Sequence, residues 1–319
     1  MLPSVDIIIV NWNAGDQLRD CLDAVASSDC NEYKLDKVVI IDNASRDRSL
    51  EGLEQLNLPI DVIRNTENKG FGAACNQGAS IGRSDYILFL NPDTKVSPDS
   101  IDKAVNCLRD TARQQVGVVS IQLVNSQGEI QRNCARFPTP MNIWCSILGI
   151  DKFVVNKFTS YIMNDWNHQN SQPVDHVIGA FYLIRRDIFQ ALDGFDETFF
   201  VYFEDLDLSH RVHKLGWSSY YLADARSFHK GGGTSESIKA TRVFYSLRSR
   251  MLYGYKHFHP LQANAIALAS LSIEFTSRMI FSLLRLSPSQ AQETLSAYAK
   301  LFANIPEIYR AVQKQSIAK

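Results

Sequence analysis

The chain has 319 residues, 45% of them hydrophobic and 21% charged, with 16 Gly and 10 Pro; this suits one domain of about 200 to 250 residues plus an appendage and excludes disordered, collagen-like and low-complexity classes. Lys and Arg number 33 against 34 Asp and Glu, a formal net charge of -1, which argues against a protein that coats nucleic acid through a global positive field. The charge is uneven: residues 238–319 hold 11 Lys and Arg against 3 Asp and Glu, so a basic tail follows an acidic body.

The chain opens on Met1-Leu2-Pro3-Ser4 without the basic n-region and long apolar core of an export signal, and is expected to stay in the cytoplasm. Val5 to Val10 reads as a buried strand and Asp16 to Ala26 as a helix with Leu18, Cys21, Leu22 and Val25 on one face. Lys37 to Ile41 gives a second strand, Arg48 to Leu56 a second helix and Ile60 to Ile63 a short third strand. A small-residue helix over Gly72 to Ile81 leads into the strand Asp85 to Leu90. Alternation of this kind builds a parallel sheet covered by helices. The prolines and polar stretches of residues 137–175 read as a long insertion crossing one face of the sheet. A strand at Val177 to Ile184, a helix near Asp187 to Leu192, a turn at Asp193-Gly194 and an acidic helix from Glu204 to Leu215 capped by Gly216 follow. Residues 218–222 read as a final edge strand.

Beyond Thr241 the pattern is helical. Residues 261–286 are apolar, but Glu274, Arg278 and Arg285 interrupt them, so no 18-residue stretch is free of charge and the segment is not read as transmembrane. It suits either a helix lying on a membrane, with Arg248, Arg250, Lys256, Arg278 and Arg285 near anionic headgroups, or a helical hairpin packed on the domain. The six cysteines contain no C-x-x-C pair, so neither a zinc ribbon nor a disulfide framework is indicated.

In open α/β sheets ligands bind beyond the carboxyl ends of the strands. Here those junctions are all polar: Asn11-Trp12-Asn13, Asp42-Asn43-Ala44-Ser45, Asn65 to Gly70, and Asn91-Pro92-Asp93. Each alone could be a turn or a helix cap, but four in register line one edge. Gly70-Phe71-Gly72 resembles the start of a dinucleotide fingerprint, yet the third glycine position is Cys75 and the motif is not in the first βα turn; its glycines instead let the backbone of Asn68 to Gly72 approach a ligand. Asp93 ends an apolar strand, and a partly desolvated carboxylate there suits a hard divalent cation bridging to a diphosphate; the alternative is a cap for a helix starting near Ser97. Glu204, Asp205 and Asp207 crowd a helix start. Asp207 can pair with Arg211 one turn on, leaving Glu204 and Asp205 in an aromatic setting that can raise a carboxylate pKa and suit it to remove a hydroxyl proton. His229 precedes Lys230-Gly231-Gly232-Gly233-Thr234-Ser235, where a ligand role beside a glycine lid competes with a structural one.

Together these motifs, with Gly194-Phe195-Asp196-Glu197, resemble the inverting glycosyltransferases of family 2, in particular their rhamnosyltransferase-like branch, over residues 4–259. The resemblance implies an α/β fold of the GT-A nucleotide-diphosphosugar transferase type, with a mostly parallel sheet flanked by helices. The catalytic domain would span residues 1–240, its nucleotide-sugar half about 1–95 and its acceptor half about 96–240, followed by a basic helical extension over 241–319. It implies a donor site at Asn13, Asp42, Asn68, Gly70, Asn91 and Asp93, with Asp42 on the nucleotide base. Asp93 matches the last acid of the family's D-x-D metal motif, whose first acid is Asn91 here. It further implies a Mg2+ or Mn2+ ion on Asp93 and His229, a catalytic base at Asp205, and acceptor contacts at Gly179, Ala180 and Glu204. The expected reaction moves L-rhamnose from dTDP-rhamnose to a lipid-linked or polysaccharide hydroxyl at the inner face of the cell membrane, with no nucleic acid partner. Another UDP- or dTDP-sugar, or a catalytically idle sugar-nucleotide scaffold, are the alternatives.

Overall fold

The computed structural model describes residues 1–231 and 239–317. It divides into two compact units, one of Met1–Ala135, Trp166–Glu197 and Glu204–Thr234, the other of Arg136–Asp165, Thr198–Phe203 and Ser235–Lys319.

The first unit carries the sheet. Its strands are β1 (Ser4–Asn11), β2 (Lys34–Asp42), β3 (Ile60–Arg64), β4 (Tyr86–Leu90), β5 (Thr94–Val96), β6 (Val116–Val124), β7 (Cys134–Ala135), β8 (Gln172–Val174), β9 (His176–Val177), β10 (Phe181–Arg185) and β11 (Ser218–His229). The main sheet runs β3-β2-β1-β4-β10-β6-β11-β5, with β8 on β11, while β7 and β9 form a separate pair. β3, β2, β1 and β4 are parallel, and β10 enters antiparallel between β4 and β6. The unbroken apolar runs of β1, β2 and β4 follow from burial on both faces, with Ile7, Ile9, Val38, Ile40 and Leu88 fully buried. Helices α1 (Asp16–Ala26), α2 (Phe71–Ala79), α3 (Ser100–Arg109), α5 (Arg186–Ala191) and α6 (Glu204–Lys214) belong to this unit.

One polar residue interrupts the β1 core. Asp6 is fully buried and is held by the Arg186 guanidinium, which also donates to the carbonyls of Ala79 and Ser84. A Cβ on Gly82 would stand 1.8 Å from the Asp6 carboxylate. Gly82→Ala is therefore expected to push the pair apart and cost about 3–5 kcal/mol, the usual penalty for breaking a buried ion pair; a lowered urea midpoint with unchanged slope checks it.

Four expectations from the sequence are corrected here. Residues 48–56 form turns and a single 3-10 turn at Leu53–Gln55 rather than a helix. Asp47 takes the backbone N–H groups of Gly15 and Ser49 and the Ser49 hydroxyl, and such local bonds compete with a helical ladder; Gly52 at φ 74° completes the break. The strand expected over 177–184 is two, β9 and β10, separated at Ile178, Gly179 and Ala180. The last strand is neither short nor at the edge: β11 runs to His229 and lies between β6 and β5. A register shift between Leu222 and Arg226 inserts extra residues that interrupt the alternation and hide the continuation. Finally, the insertion is not a featureless loop. Pro140, which reads as a breaker, opens helix α4 (Pro140–Ile147) behind a capping box of Thr139 and Asn142, the first-turn position where a missing N–H costs nothing.

The second unit is helical, as expected beyond Thr241: α7 (Lys239–His257), α8 (Pro260–Ala269), α9 (Phe275–Leu284), α10 (Pro288–Ala303) and α11 (Ile305–Ile317) join α4. Ile143 and Ile147 of α4 pack on Ile266 and Ala269 of α8. A π-turn at Ser270–Glu274 links α8 and α9 into one helix, Pro260–Leu284, that is long and apolar enough to cross a membrane by length and composition. Three of the basic residues that the membrane alternative sets near headgroups are engaged within this unit. Arg248 and Arg250 are buried, Arg248 donates to the Thr198 carbonyl, and both Arg250 and Arg278 bind Glu274.

Candidate active site

The carboxyl ends of β1, β2, β3 and β4 lie in one row, as the sheet order requires. Asn11 sits opposite Asp42 in the β1–β2 register, and its amide donates to Asp42 at 2.8 Å. The other Asp42 oxygen accepts from Ser45 N–H at 3.2 Å, so this buried acid orders the loop as well as marking its floor. Asn13 takes positive φ (51°) and its side-chain oxygen Oδ1 accepts from Arg46 N–H at 2.7 Å. Asn68 caps the next loop by accepting from Gly70 N–H at 2.9 Å, and Gly70, at φ 89°, holds a conformation that favours glycine. Asn43 joins the two loops by donating to the Gly70 carbonyl at 3.1 Å.

Beyond β4 the chain turns through Asn91 and Asp93 directly into β5, not into a helix. β5 pairs with the end of β11 so that Thr94 faces His229, and this register brings His229 Nε2 to 3.5 Å from Asp93 Oδ1, with both side chains about nine-tenths buried. The other ring nitrogen, Nδ1, lies 2.8 Å from the Gln131 side-chain oxygen. A proton held on Nδ1 by that oxygen leaves the Nε2 lone pair facing the carboxylate. Burial lowers the His229 pKa, against the opposing pull of Asp93, which favours the neutral, ligating form. Among the described residues no group of three or more His, Cys, Asp or Glu side chains is placed to hold a metal; a two-residue nitrogen and oxygen set suits a Mg2+ or Mn2+ ion that takes its remaining ligands from phosphates and water. Gly232 to Ser235 of the expected lid lie outside the described residues.

Asp205 sits at the start of α6. Its Oδ2 accepts from Gly179 N–H and its Oδ1 from Leu206 N–H, both at 2.8 Å. The neighbouring Ala180 carbonyl accepts from Asn91 N–H at 3.0 Å and from the Thr94 hydroxyl at 3.4 Å. The dipeptide Gly179–Ala180 thus ties Asp205 to the turn that carries Asp93, and the break in the strand is what exposes the Gly179 N–H for this purpose. Gly179 is tight: a Cβ there would meet Phe71 at 3.3 Å. Ala180, expected at the acceptor site, is 1% exposed, and its backbone makes these bonds.

Further side chains hold this geometry. Arg211 pairs with Asp207 at 2.7 Å, as its spacing anticipates, and also donates to the carbonyls of Leu192 and Gly194. Asn76 of α2 binds Phe195 N–H, the Phe195 carbonyl and Glu197. His176 Nε2 stands 3.9 Å from Asp205, with its Nδ1 on Ser209. Just before α6, Tyr202 and Phe203 both hold positive φ (66° and 68°), a strain of about 1–3 kcal/mol each for residues with a Cβ.

Glu204, expected at the acceptor, is buried and its Oε2 has no partner. Burial raises its pKa well above the usual 4.5 and the Asp205 charge adds to the shift. The folded chain thus binds this proton more tightly than the unfolded one, so the contribution to stability is fully present below the ordinary carboxylate range and is lost as pH rises through the raised value. Glu204→Gln is expected to flatten that decline in urea titrations carried upward in pH from the ordinary carboxylate range.

Residues 6–193 match the family described as Glycosyl transferase family 2. The chain belongs to this family. It is 25% identical over 240 residues to the N-acetylglucosaminyl-diphospho-decaprenol L-rhamnosyltransferase of Mycobacterium tuberculosis, covering 72% of this chain and 76% of the relative. It is 26% identical over 170 residues to the rhamnosyltransferase WbbL of Escherichia coli, covering 53% and 61%. The mannosyltransferase PcManGT of Pyrobaculum calidifontis, solved with GDP-Man and Mn2+, superposes with a TM-score of 0.56 at 14% identity, covering 96% of this chain and 88% of that one. TarS of S. aureus gives 0.54 at 14% identity, covering 98% and 88%. The fold is therefore GT-A, and the protein is a glycosyltransferase of a rhamnosyltransferase-like kind.

Proposed function

We propose that the protein transfers L-rhamnose from dTDP-rhamnose, with inversion, to a hydroxyl of a lipid-linked or polysaccharide acceptor at the inner face of the cell membrane. The observation that carries this reading is the Gly179–Ala180 bridge, which links the Asp205 carboxylate to the turn that carries Asp93, itself 3.5 Å from His229. The similarity to two rhamnosyltransferases favours the sugar. Asp42, Asn13, Asn68 and Gly70 shape the nucleotide pocket, with Asp42 toward the base, and Asn91 and Asp93 face the diphosphate. Asp93 and His229 hold a divalent cation, which when bound supplies positive charge to the departing diphosphate. Asp205 takes the proton of the acceptor hydroxyl as its oxygen forms a bond to the anomeric carbon. The bond from that carbon to the diphosphate breaks on the opposite side and its electron pair leaves with the diphosphate, so one displacement inverts the centre. No carboxylate is needed as a covalent nucleophile, unlike in double-displacement glycosidases. Gly179, Ala180 and Glu204 stand on the acceptor side, where burial disfavours the charged form of Glu204.

The test is incubation of the purified protein with a panel of dTDP-, UDP- and GDP-sugars, Mg2+ or Mn2+ and a polyprenyl-diphosphate glycan. The expected product carries one rhamnose of inverted configuration. Transfer of another sugar would replace the donor assignment, and binding without turnover across the panel would make the chain a scaffold.

A further inference from the structure

The second unit contains a cavity of about 420 Å3 enclosed by α4, α7, α9 and α10. Its charged lining is Lys152, Arg250, Arg278 and Arg285 against Glu274 and Glu293. Glu274 is already held by both Arg250 and Arg278, so the lining keeps an excess of positive charge. Arg250 is 9% exposed, yet its Nε–H has no partner. A buried guanidinium donor left unsatisfied costs free energy, and the planar fork of arginine matches phosphate oxygens. Ser246 and Ser277 add hydroxyls to the same wall. An anion of phosphate type fits this chemistry.

The surroundings are apolar. Phe281 lines the cavity and is 41% exposed, and Leu148, Ile150 and Phe153, beside the lining residues Gly149 and Lys152, are 51%, 40% and 82% exposed. Apart from Met1, Leu2 and Leu215, every large hydrophobic side chain exposed among the described residues belongs to this unit. Exposed apolar surface concentrated around a cationic cavity distinguishes an amphiphile from a free anion. We infer that the cavity between α4, α7, α9 and α10 binds the phosphate-bearing headgroup of a membrane lipid, with the hydrocarbon chain following the exposed apolar side chains of residues 148–153. Arg250 sets the fork of its guanidinium in the wall, and Lys152 and Arg285, both exposed, add charge to the lining. The inference deepens the proposed function, on which it rests only for the claim that the acceptor is lipid-linked: it gives such a lipid a place on the protein.

The test is co-sedimentation of the whole chain with phosphatidylcholine vesicles, with and without phosphatidic acid. Transfer to a soluble acceptor, measured separately, keeps a failure of the enzymatic reading apart from a failure of this one. Binding is expected only to the phosphatidic acid vesicles. The double substitution Lys152→Gln with Arg285→Gln, at exposed positions, should weaken it about thirtyfold, whereas Lys239→Gln with Arg310→Gln should change it less than about threefold. Arg250→Lys keeps a charge beside Glu274 but loses the fork, and should also weaken binding. Equal binding to pure phosphatidylcholine, an undiminished affinity in the Lys152/Arg285 variant, or displacement from the vesicles by inorganic phosphate would overturn the inference, the last by showing a site for a soluble anion.

Discussion

Asp205→Asn should abolish sugar transfer while leaving donor binding intact, with kcat falling by about 10^2- to 10^4-fold, the usual contribution of a positioned general base. The amide has nearly the size of the carboxylate and can still accept from Gly179 N–H through its oxygen, but its nitrogen then faces Leu206 N–H, which now donates to Asp205 at 2.8 Å. A modest loss of stability is therefore expected alongside the loss of rate, and the two are separated by measuring donor affinity calorimetrically on the folded variant. Full transfer by this variant would remove Asp205 from the base role. Glu204 is buried and burial disfavours its charged form, so no partial rescue by it is expected.

The parts of the site legible in the sequence are those set by one strand and the residues directly after it. The runs 5–10, 37–41 and 85–90 announce parallel strands, and in an open sheet that alone places Asn13, Asp42 and Asp93 on one rim. The Asp207–Arg211 pair is likewise local, fixed by helical spacing. What the sequence hides depends on pairing at long range. His229 reaches Asp93 only because β11 continues past a bulge and pairs with β5. Gly179 reaches Asp205 only because the chain leaves one strand and starts another, and nothing in an apolar stretch containing one glycine signals that an N–H is being set free. Gln131 and Asn76 act as single hydrogen-bonding side chains far along the chain from their partners, so no periodicity marks them. The basic tail hides its pairing for a related reason: a count of Lys and Arg does not show that Arg250 and Arg278 are engaged by Glu274.

Substitution of the Asp93–His229 pair should produce a graded loss of divalent-cation dependence. Asp93→Ala removes the anionic ligand and is expected to lower kcat/KM by about 10^2- to 10^3-fold, comparable to deleting one electrostatic contact to the developing charge. His229→Ala removes a neutral ligand, and its larger effect should be on the metal concentration required for half-maximal rate. Gln131→Leu leaves both ligands in place but frees the imidazole, whose Nδ1 now stands 2.8 Å from the Gln131 oxygen; loss of such an orienting partner costs about 10- to 100-fold in metal affinity. Titration of each variant with Mn2+ in the presence of donor, followed by electron paramagnetic resonance, checks the order. The wild-type affinity should also fall on acidification, because protonation of His229 competes with the metal, and the depressed pKa of this buried ring delays that loss to lower pH than an exposed histidine would show. In His229→Ala this acid limb should disappear. An unchanged limb, or Mn2+ binding equal to wild type in Asp93→Ala, would separate the pair from the cation.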